Sequence, residues 1–496
     1  MDKQTPDTPN ALAPAILLAA AGLGVLGEIL FLPGILGANL FLWTASVVAA
    51  LLALSRFSGK PLRGEGRWVI APALLFAACV AWRSSPFLQA IDTAAVLGLL
   101  AVAAFRMRSG VVRVGAVSEY LWLAALALIS GVIGVADLVF RRMNWGILGS
   151  KFGGGRLLLA ARAVALALPL VVVFGLLLAS ADAIFADSLG SAVYFDLSGG
   201  VLHVVRVAWW TWVAAGFLYS VLVQEPKPLP EVAPPEGVRL GPIEVATVLG
   251  AVDLLFLAFV VFQIRYLFGG AGHVEVTAGL TYAEYAREGF FELVAVAALV
   301  IPLLLGVHWL LRDSSPVLRT AFRLASAALL ALLFVIIASA LQRMRVYVDE
   351  FGLTQLRFYS TAFMFWLAAV CLLLGITLLR ERRRQFGFAA LAAGTVGVFA
   401  LNAINPDAFI VRTNVDRAAS RNFDAAYAAS LSPDATPTLV AALPRLAEAD
   451  ACVVGNALLD SAPDDDGWRT WNLGRQEARE ATSGLGSRLP PGCPRP

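Results

Sequence analysis

The chain has 496 residues, of which 59% are apolar and only 15% charged, with a mean hydropathy of +0.76 and a formal net charge of +3. Ordinary soluble domains carry about 25% charged residues, so a soluble globular protein is excluded. The small net charge, spread over short basic clusters between apolar runs, leaves no footprint for nucleic acid, and the principal partner implied is the lipid bilayer.

In chain order, runs long enough to supply the ~20 helical residues that cross a hydrocarbon core lie at 11–33, 35–55, 86–105, 157–180, 199–223, 241–268, 289–311, 318–342, 358–379 and 386–404, with a shorter one at 68–82. The first is too long for a signal-peptide core and lacks a small-residue cleavage site, so it reads as a retained span. The run 116–140 carries Glu119 and Asp137 near its ends, and the basic clusters arbitrate its path. Lys and Arg accumulate in cytoplasmic loops. Arg56, Lys60, Arg63 and Arg67 follow the second run, Arg106, Arg108 and Arg113 follow 86–105, and Arg380, Arg382, Arg383 and Arg384 follow 358–379. These clusters share a side only if an even number of spans separates each pair, which fails when 116–140 crosses as a single helix. The preferred reading makes 116–140 a re-entrant or interfacial helix hairpin, giving eleven spans with the N-terminus inside and the tail outside. A twelve-span chain is the alternative.

The expected fold is therefore all-α, a polytopic bundle in a bacterial cytoplasmic membrane with a small helical tail; the excess of Arg over Lys points to a GC-rich bacterial genome. The segments read as membrane helices over 1–140, a basic glycine-rich loop at 141–156, membrane helices over 157–223, a proline-rich linker at 224–240, a second membrane bundle over 241–404 and a polar tail over 405–496 with a disordered end. In the tail, "SRNFDAAYAASLSPDATPTLVAALPRL" reads as a helical hairpin in which Ser432 caps the second helix, Pro433 occupies its first turn and Pro444 ends or kinks it. An outer tail would let Cys452 and Cys493 form a disulfide worth about 4 kcal/mol by loop closure, whereas an inner one would leave free thiols.

"TYAEYAREGFFEL" (281–293) places Tyr282 and Tyr285 on one helical face and Glu284, Arg287 and Glu288 on another, just before a span. One reading is an interfacial belt with compensating charges; the other is a polar site at the outer mouth of the bundle. Arg265 and Tyr266, the stretch with Arg345, Arg357 and Tyr359, and the stretch with Asn405, Asp407, Arg412, Asn414 and Arg417 fall on the same outer side. Arginines there work against the orientation and fit an anionic or lipid-linked small molecule, since guanidinium binds phosphate with two charge-assisted bonds. Their other reading is ion pairing that rigidifies the outer loops. Among deeper groups, Asp253 is near mid-span and is the candidate for proton or ion coupling, with Arg206 or Arg323 as partners. Glu28, Asp92 and His203 read as residues near an interface.

Three widely spaced histidines and no paired cysteine motif predict no metal and no cofactor. "GILGSKFGGGR" does not match a phosphate loop, and no G-x-S-x-G elbow is present.

The motifs "GPIEVATVLGAVDLLFLAFVVFQIRYLFGG", "TYAEYAREGFFELVAVAAL", "YVDEFGLTQLRFY" and "NPDAFIVRTNVDR" followed by "LSPDA" resemble a family of bacterial multi-pass membrane proteins defined by a domain of unknown function, over about residues 157 to 435. The resemblance implies a membrane fold and no activity. Three functions stay open: a transporter or flippase coupled through Asp253; a membrane-embedded transferase acting on a lipid-linked substrate, with Glu284, Glu288 or Asp407 as base; and a sensor or scaffold that holds a protein partner through the tail or the proline-rich linker.

Overall fold

A computed structural model describes residues 9–32, 34–115, 117–142, 198–224, 240–268, 290–311, 316–418, 422–461, 463, 467–487, 489–490 and 493, and scattered positions between 163 and 185. Its helices are α1 (Pro9–Phe31), α2 (Ala38–Phe57), α3 (Ile70–Trp82), α4 (Pro86–Arg106), α5 (Val117–Asp137), α6 (Ser198–Leu222), α7 (Pro242–Phe268), α8 (Phe290–Leu310), α9 (Pro316–Phe351), α10 (Gln355–Leu379), α11 (Phe386–Ile404), α12 (Pro406–Arg417), α13 (Ala425–Ala429), α14 (Thr436–Ala442), α15 (Glu448–Asp460), α16 (Gly467–Thr470) and α17 (Leu473–Thr482). Among the described residues there is no strand, and 11 helical segments are long and apolar enough to cross a membrane. The protein is an all-α, multi-pass membrane protein. Its chain forms two compact units: residues 1–112, 118–227 and 464–476 in the first, and 113–117, 228–463 and 477–496 in the second.

In the first unit α1 packs along α6 because small residues let the backbones close up. A Cβ on Gly24 would overlap Thr211 Oγ1, and one on Gly27 would lie 2.5 Å from the Trp210 ring. Phe31 stacks on Trp210 at 4.4 Å, and Trp43 of α2 donates its Nε1–H to Leu23 O at 3.2 Å.

One end of this unit is basic. Lys60 Nζ donates to Leu222 O at 2.9 Å and Arg108 Nη1 to Gln224 O at 3.1 Å, so both cations cap the carbonyl end of α6. Burial, then the nearby Arg108 and Arg142 charges, pull the Lys60 pKa down.

α5 is one unbroken helix, extended by a π-helical turn at Leu138–Arg142, and not the expected hairpin. Its glycines serve close packing instead of a turn: a Cβ on Gly134 would overlap the Tyr219 ring, and one on Gly216 would fall 2.8 Å from Gly131 Cα. Although α5 is long enough to cross, both ends lie at the basic end of the unit. Glu119 pairs with Arg106 at 3.1 Å beside the end of α4, while Asp137 accepts from Tyr219 Oη at 2.9 Å beside the end of α6.

The tail is not one body, because residues 464–476 pack into the first unit. Asn472, fully buried, donates from Nδ2 to Val80 O at 2.9 Å and Arg83 O at 2.8 Å, and Ala38 N–H donates to Trp471 O at 2.9 Å. Backbone carbonyls freed at the α3–α4 turn thereby gain a donor.

In the second unit α9 is central, packed against α7, α8 and α10 by buried residues that include Leu249, Phe256, Leu304, Leu329, Leu333 and Leu374. Its 36 residues exceed the ~20 that a hydrocarbon core requires, so the stretch from Gln342 continues as helix past the span. The bridge between Leu240 and Leu311 sets the start of α7 beside the end of α8, and hence near the start of α9. Within this unit the rest of the tail folds over its own apolar cluster, with Val411, Leu439, Val454 and Leu485 buried. Cys452 and Cys493 are joined in a disulfide across 41 residues of sequence.

Candidate functional site

Where α9 turns into α10, Gly352 adopts φ +81°, which a side chain disfavours, and a Cβ there would meet Arg417 Nη1 at 2.9 Å. The turn is held from the tail. Asn414 accepts from Leu353 N–H and donates to Leu353 O, each at 2.8 Å, so one amide clasps both polar atoms of one residue. Arg417 Nη2 donates to Asp349 O, and Tyr427 Oη accepts from Gln355 N–H at 2.7 Å. Burial pushes the Tyr427 phenol up, the Gln355 N–H bond draws it back, and the Asp407 charge raises it again, so the phenol stays neutral at physiological pH.

Asn405 is left-handed at φ 55° and ends α11 while beginning α12: its side chain accepts from Ala408 N–H at 3.2 Å and donates to Asp434 O at 3.1 Å. Asp407 is 1% exposed. Its Oδ1 accepts from Gln355 Nε2 at 2.8 Å, and its Oδ2 from Ser432 Oγ at 2.5 Å and Ser432 N–H at 3.3 Å. The Ser432 hydroxyl, expected to cap the following helix, is drawn to this buried carboxylate, and no side-chain cap forms there. The capping oxygen appears at Asp424, which accepts from Tyr427 N–H at 2.9 Å.

Five residues expected to bind a ligand or act as a base, Arg357, Asn405, Asp407, Asn414 and Arg417, are thus brought together, but their polar atoms go to the protein. Arg357 Nη1 donates to Phe351 O at 3.1 Å and to Gly352 O, and its guanidinium lies 4.1 Å over the Tyr347 ring. Tyr359 packs edge-on against Phe358 at 5.6 Å. Arg345 and Arg412 are exposed. Arg265 and Tyr266 lie in the last turn of α7, and Tyr282, Glu284, Tyr285, Arg287 and Glu288 lie outside the described residues.

Asp253 lies on the stripe of α7 that buries Leu249, Phe256 and Val260. Its Oδ1 is buried without a hydrogen-bond partner in the protein. The cations considered for it are committed elsewhere: Arg206 Nε lies 3.7 Å from Glu28 Oε2, and Arg323 pairs with Glu381 at 3.2 Å and donates to Leu379 O at 2.5 Å. Three further buried side chains on α7 and α9, Gln263, Ser326 and Ser339, also have polar atoms without a protein partner. At 1.5 Å per residue, Asp253 and Ser326 lie ~16 and ~15 Å along their helices, and Gln263 and Ser339 ~32 and ~35 Å. Because α7 and α9 start at the same end of the unit and pack together, these four residues fall at two similar depths along two packed helices.

Sequence patterns did not join Glu28 to His203, which meet in the first unit at 2.5 Å, Oε1 to Nδ1. No hydropathy or spacing signal links positions 175 residues apart. Among the described residues no group of three or more His, Cys, Asp or Glu has a metal-binding arrangement. A cleft of about 230 Å³ in the tail, lined by residues including Ser430, Leu431, Thr436, Leu458, Ser461 and Thr482, has no charged group and none of the residues above.

Residues 70–442 match the family described as a domain of unknown function, DUF4153. No curated protein and no solved structure matches the chain.

Proposed function

The chain belongs to the DUF4153 family, whose description supplies no activity, and we propose that it is a transporter or flippase for an anionic or lipid-linked solute, coupled through Asp253. The observation that carries this reading is the buried Asp253 Oδ1 without a protein partner, with further unpartnered polar atoms at Gln263 of the same helix and at Ser326 and Ser339 of the neighbouring α9. A carboxylate at the centre of a bilayer costs about 2.5–3.5 kcal/mol on insertion scales, and a buried polar atom left unpaired adds to that cost. Water, a proton or a solute reaching this interface would relieve it. The exposed Arg345 and Arg412 offer cations to an anionic headgroup or solute.

The orientation belongs to the same proposal. The basic end of the first unit faces the cytoplasm by the positive-inside rule, and the Cys452–Cys493 disulfide fits a tail in an oxidising compartment outside it. A transferase draws less from the geometry, since Asp407 has both oxygens occupied by neutral donors and no room to take a substrate proton.

The test is water access at position 253. In a Cys79→Ala, Cys371→Ala background, Asp253→Cys in sealed vesicles should react with a membrane-impermeant thiol reagent at least about tenfold faster than Leu255→Cys, whose native side chain is 67% exposed on the lipid-facing side of the same helix. Equal, negligible labelling at both positions would remove the aqueous path and the proposal with it.

A further inference from the structure

We infer that Glu28, His203 and Arg206 form a second proton site, in the first unit, which takes its proton from water at His203 Nε2. Glu28 is the only charged residue of α1 and is 6% exposed. Its Oε1 lies 2.5 Å from His203 Nδ1, and its Oε2 has Arg206 Nε at 3.7 Å, beyond hydrogen-bond range. A buried carboxylate beside an imidazole nitrogen fixes the tautomer, with Nδ1–H donating to Oε1 and Nε2 left as the basic atom. The His203 side chain is 51% exposed and the Glu28 side chain beside it 8%, which makes the imidazole the more accessible member of the pair.

Depth makes exchange with water feasible. Glu28 is ~5 Å from the end of α1 and His203 ~8 Å from the start of α6, within the interfacial zone of a bilayer. The elements packed against α1 add few charges. α6 supplies His203 and Arg206, α16 supplies Arg469, and α2 and the turn at Leu138–Arg142 carry theirs, Arg56, Arg141 and Arg142, at the far end of α1.

The charge balance follows. With His203 neutral, Glu28 and Arg206 cancel. A proton from water bonds to Nε2, giving an imidazolium that keeps its Nδ1–H bond to Glu28, and the trio becomes singly positive. Loss of the proton reverses the step, and no bond other than Nε2–H forms or breaks. The inference rests on no part of the transport reading and concerns another unit.

The test uses the full-length protein in lipid bilayers with ¹⁵N-labelled histidine. The chain has 3 histidines, and His203→Gln assigns the signal. At high pH, His203 should show the Nδ1–H tautomer, with protonation at Nε2 on acidification. Glu28→Gln removes the negative partner and should weaken proton binding about tenfold, one pH unit of midpoint. Arg206→Gln removes the opposing charge and should shift the midpoint upward. Opposite shifts cannot come from general loss of structure, and an unchanged His308 signal serves as the internal control. An Nε2–H tautomer, an unshifted midpoint in Glu28→Gln, or shifts of the same sign in both variants would overturn the inference.

Discussion

Asp407 shows how a residue with the right chemistry for catalysis is used for architecture. Its carboxylate is 1% exposed and accepts from Gln355 and twice from Ser432, so Asp407→Ala leaves buried donors unpaired and should cost about 3 kcal/mol. The readout is a lower apparent melting temperature of the purified protein, with Arg412→Ala, at an exposed position, within about 0.5 kcal/mol of wild type. Tyr427→Phe removes the acceptor for Gln355 N–H and should cost about 1–2 kcal/mol by the same measurement. Sequence grouped these positions as polar residues on one side, and in the structure Arg357, Asn405, Asp407, Asn414 and Arg417 meet around the α9–α10 turn. The sequence did not show what they bind, because side-chain amides and guanidinium groups suit backbone carbonyls as well as phosphates. Ser432 is a case in point: its pattern predicts a cap, and a buried aspartate 25 residues upstream outcompetes the helix for its hydroxyl.

At the level of elements, hydropathy located the spans among the described residues, because a helix with ~20 consecutive apolar residues has few places to go but a hydrocarbon core; the expected span 157–180 lies almost wholly outside the described residues, and counting basic loops singled out 116–140 as the segment whose path the topology turns on. What counting could not give was its shape. Gly131 and Gly134 read equally as turn formers and as close-packing residues, and contact with Gly216 and Tyr219 decides for packing. In the Cys79→Ala, Cys371→Ala background, Ser118→Cys and Arg141→Cys should therefore label from the same side of the membrane as Lys60→Cys, since the disulfide leaves the remaining cysteines unreactive. Labelling of the two ends of α5 from opposite sides would show that it crosses. The α1–α6 contact makes a related demand: Gly24→Leu has no room, with Thr211 Oγ1 already where the first added atom would go, and should lower expression or melting temperature.

For the whole molecule, the tail was legible as polar and helical but not as divided. "GWRTWN" carries no hydropathy signal, and the contacts that join it to the first unit are hydrogen bonds: Asn472 to the Val80 and Arg83 carbonyls and Ala38 N–H to Trp471 O. The remainder of the tail depends on its disulfide, and reduction should remove about 4 kcal/mol of loop-closure stabilisation from that part alone. Hydrogen exchange would then accelerate in α15 and leave α9 unchanged. Membrane helices need no such staple, as every backbone group inside a span is already paired within its own helix. The same rule makes the unpaired side chains on α7 and α9 conspicuous.

If Asp253 couples transport, its carboxyl exchanges protons inside the second bundle. Infrared difference spectra of the full-length protein in lipid bilayers, recorded across a pH step, test it most directly. The expected result is a protonated-carboxyl band that follows bulk pH, is lost in Asp253→Asn and is retained in Glu28→Gln. A pH-dependent spectrum identical in wild type and Asp253→Asn would contradict it.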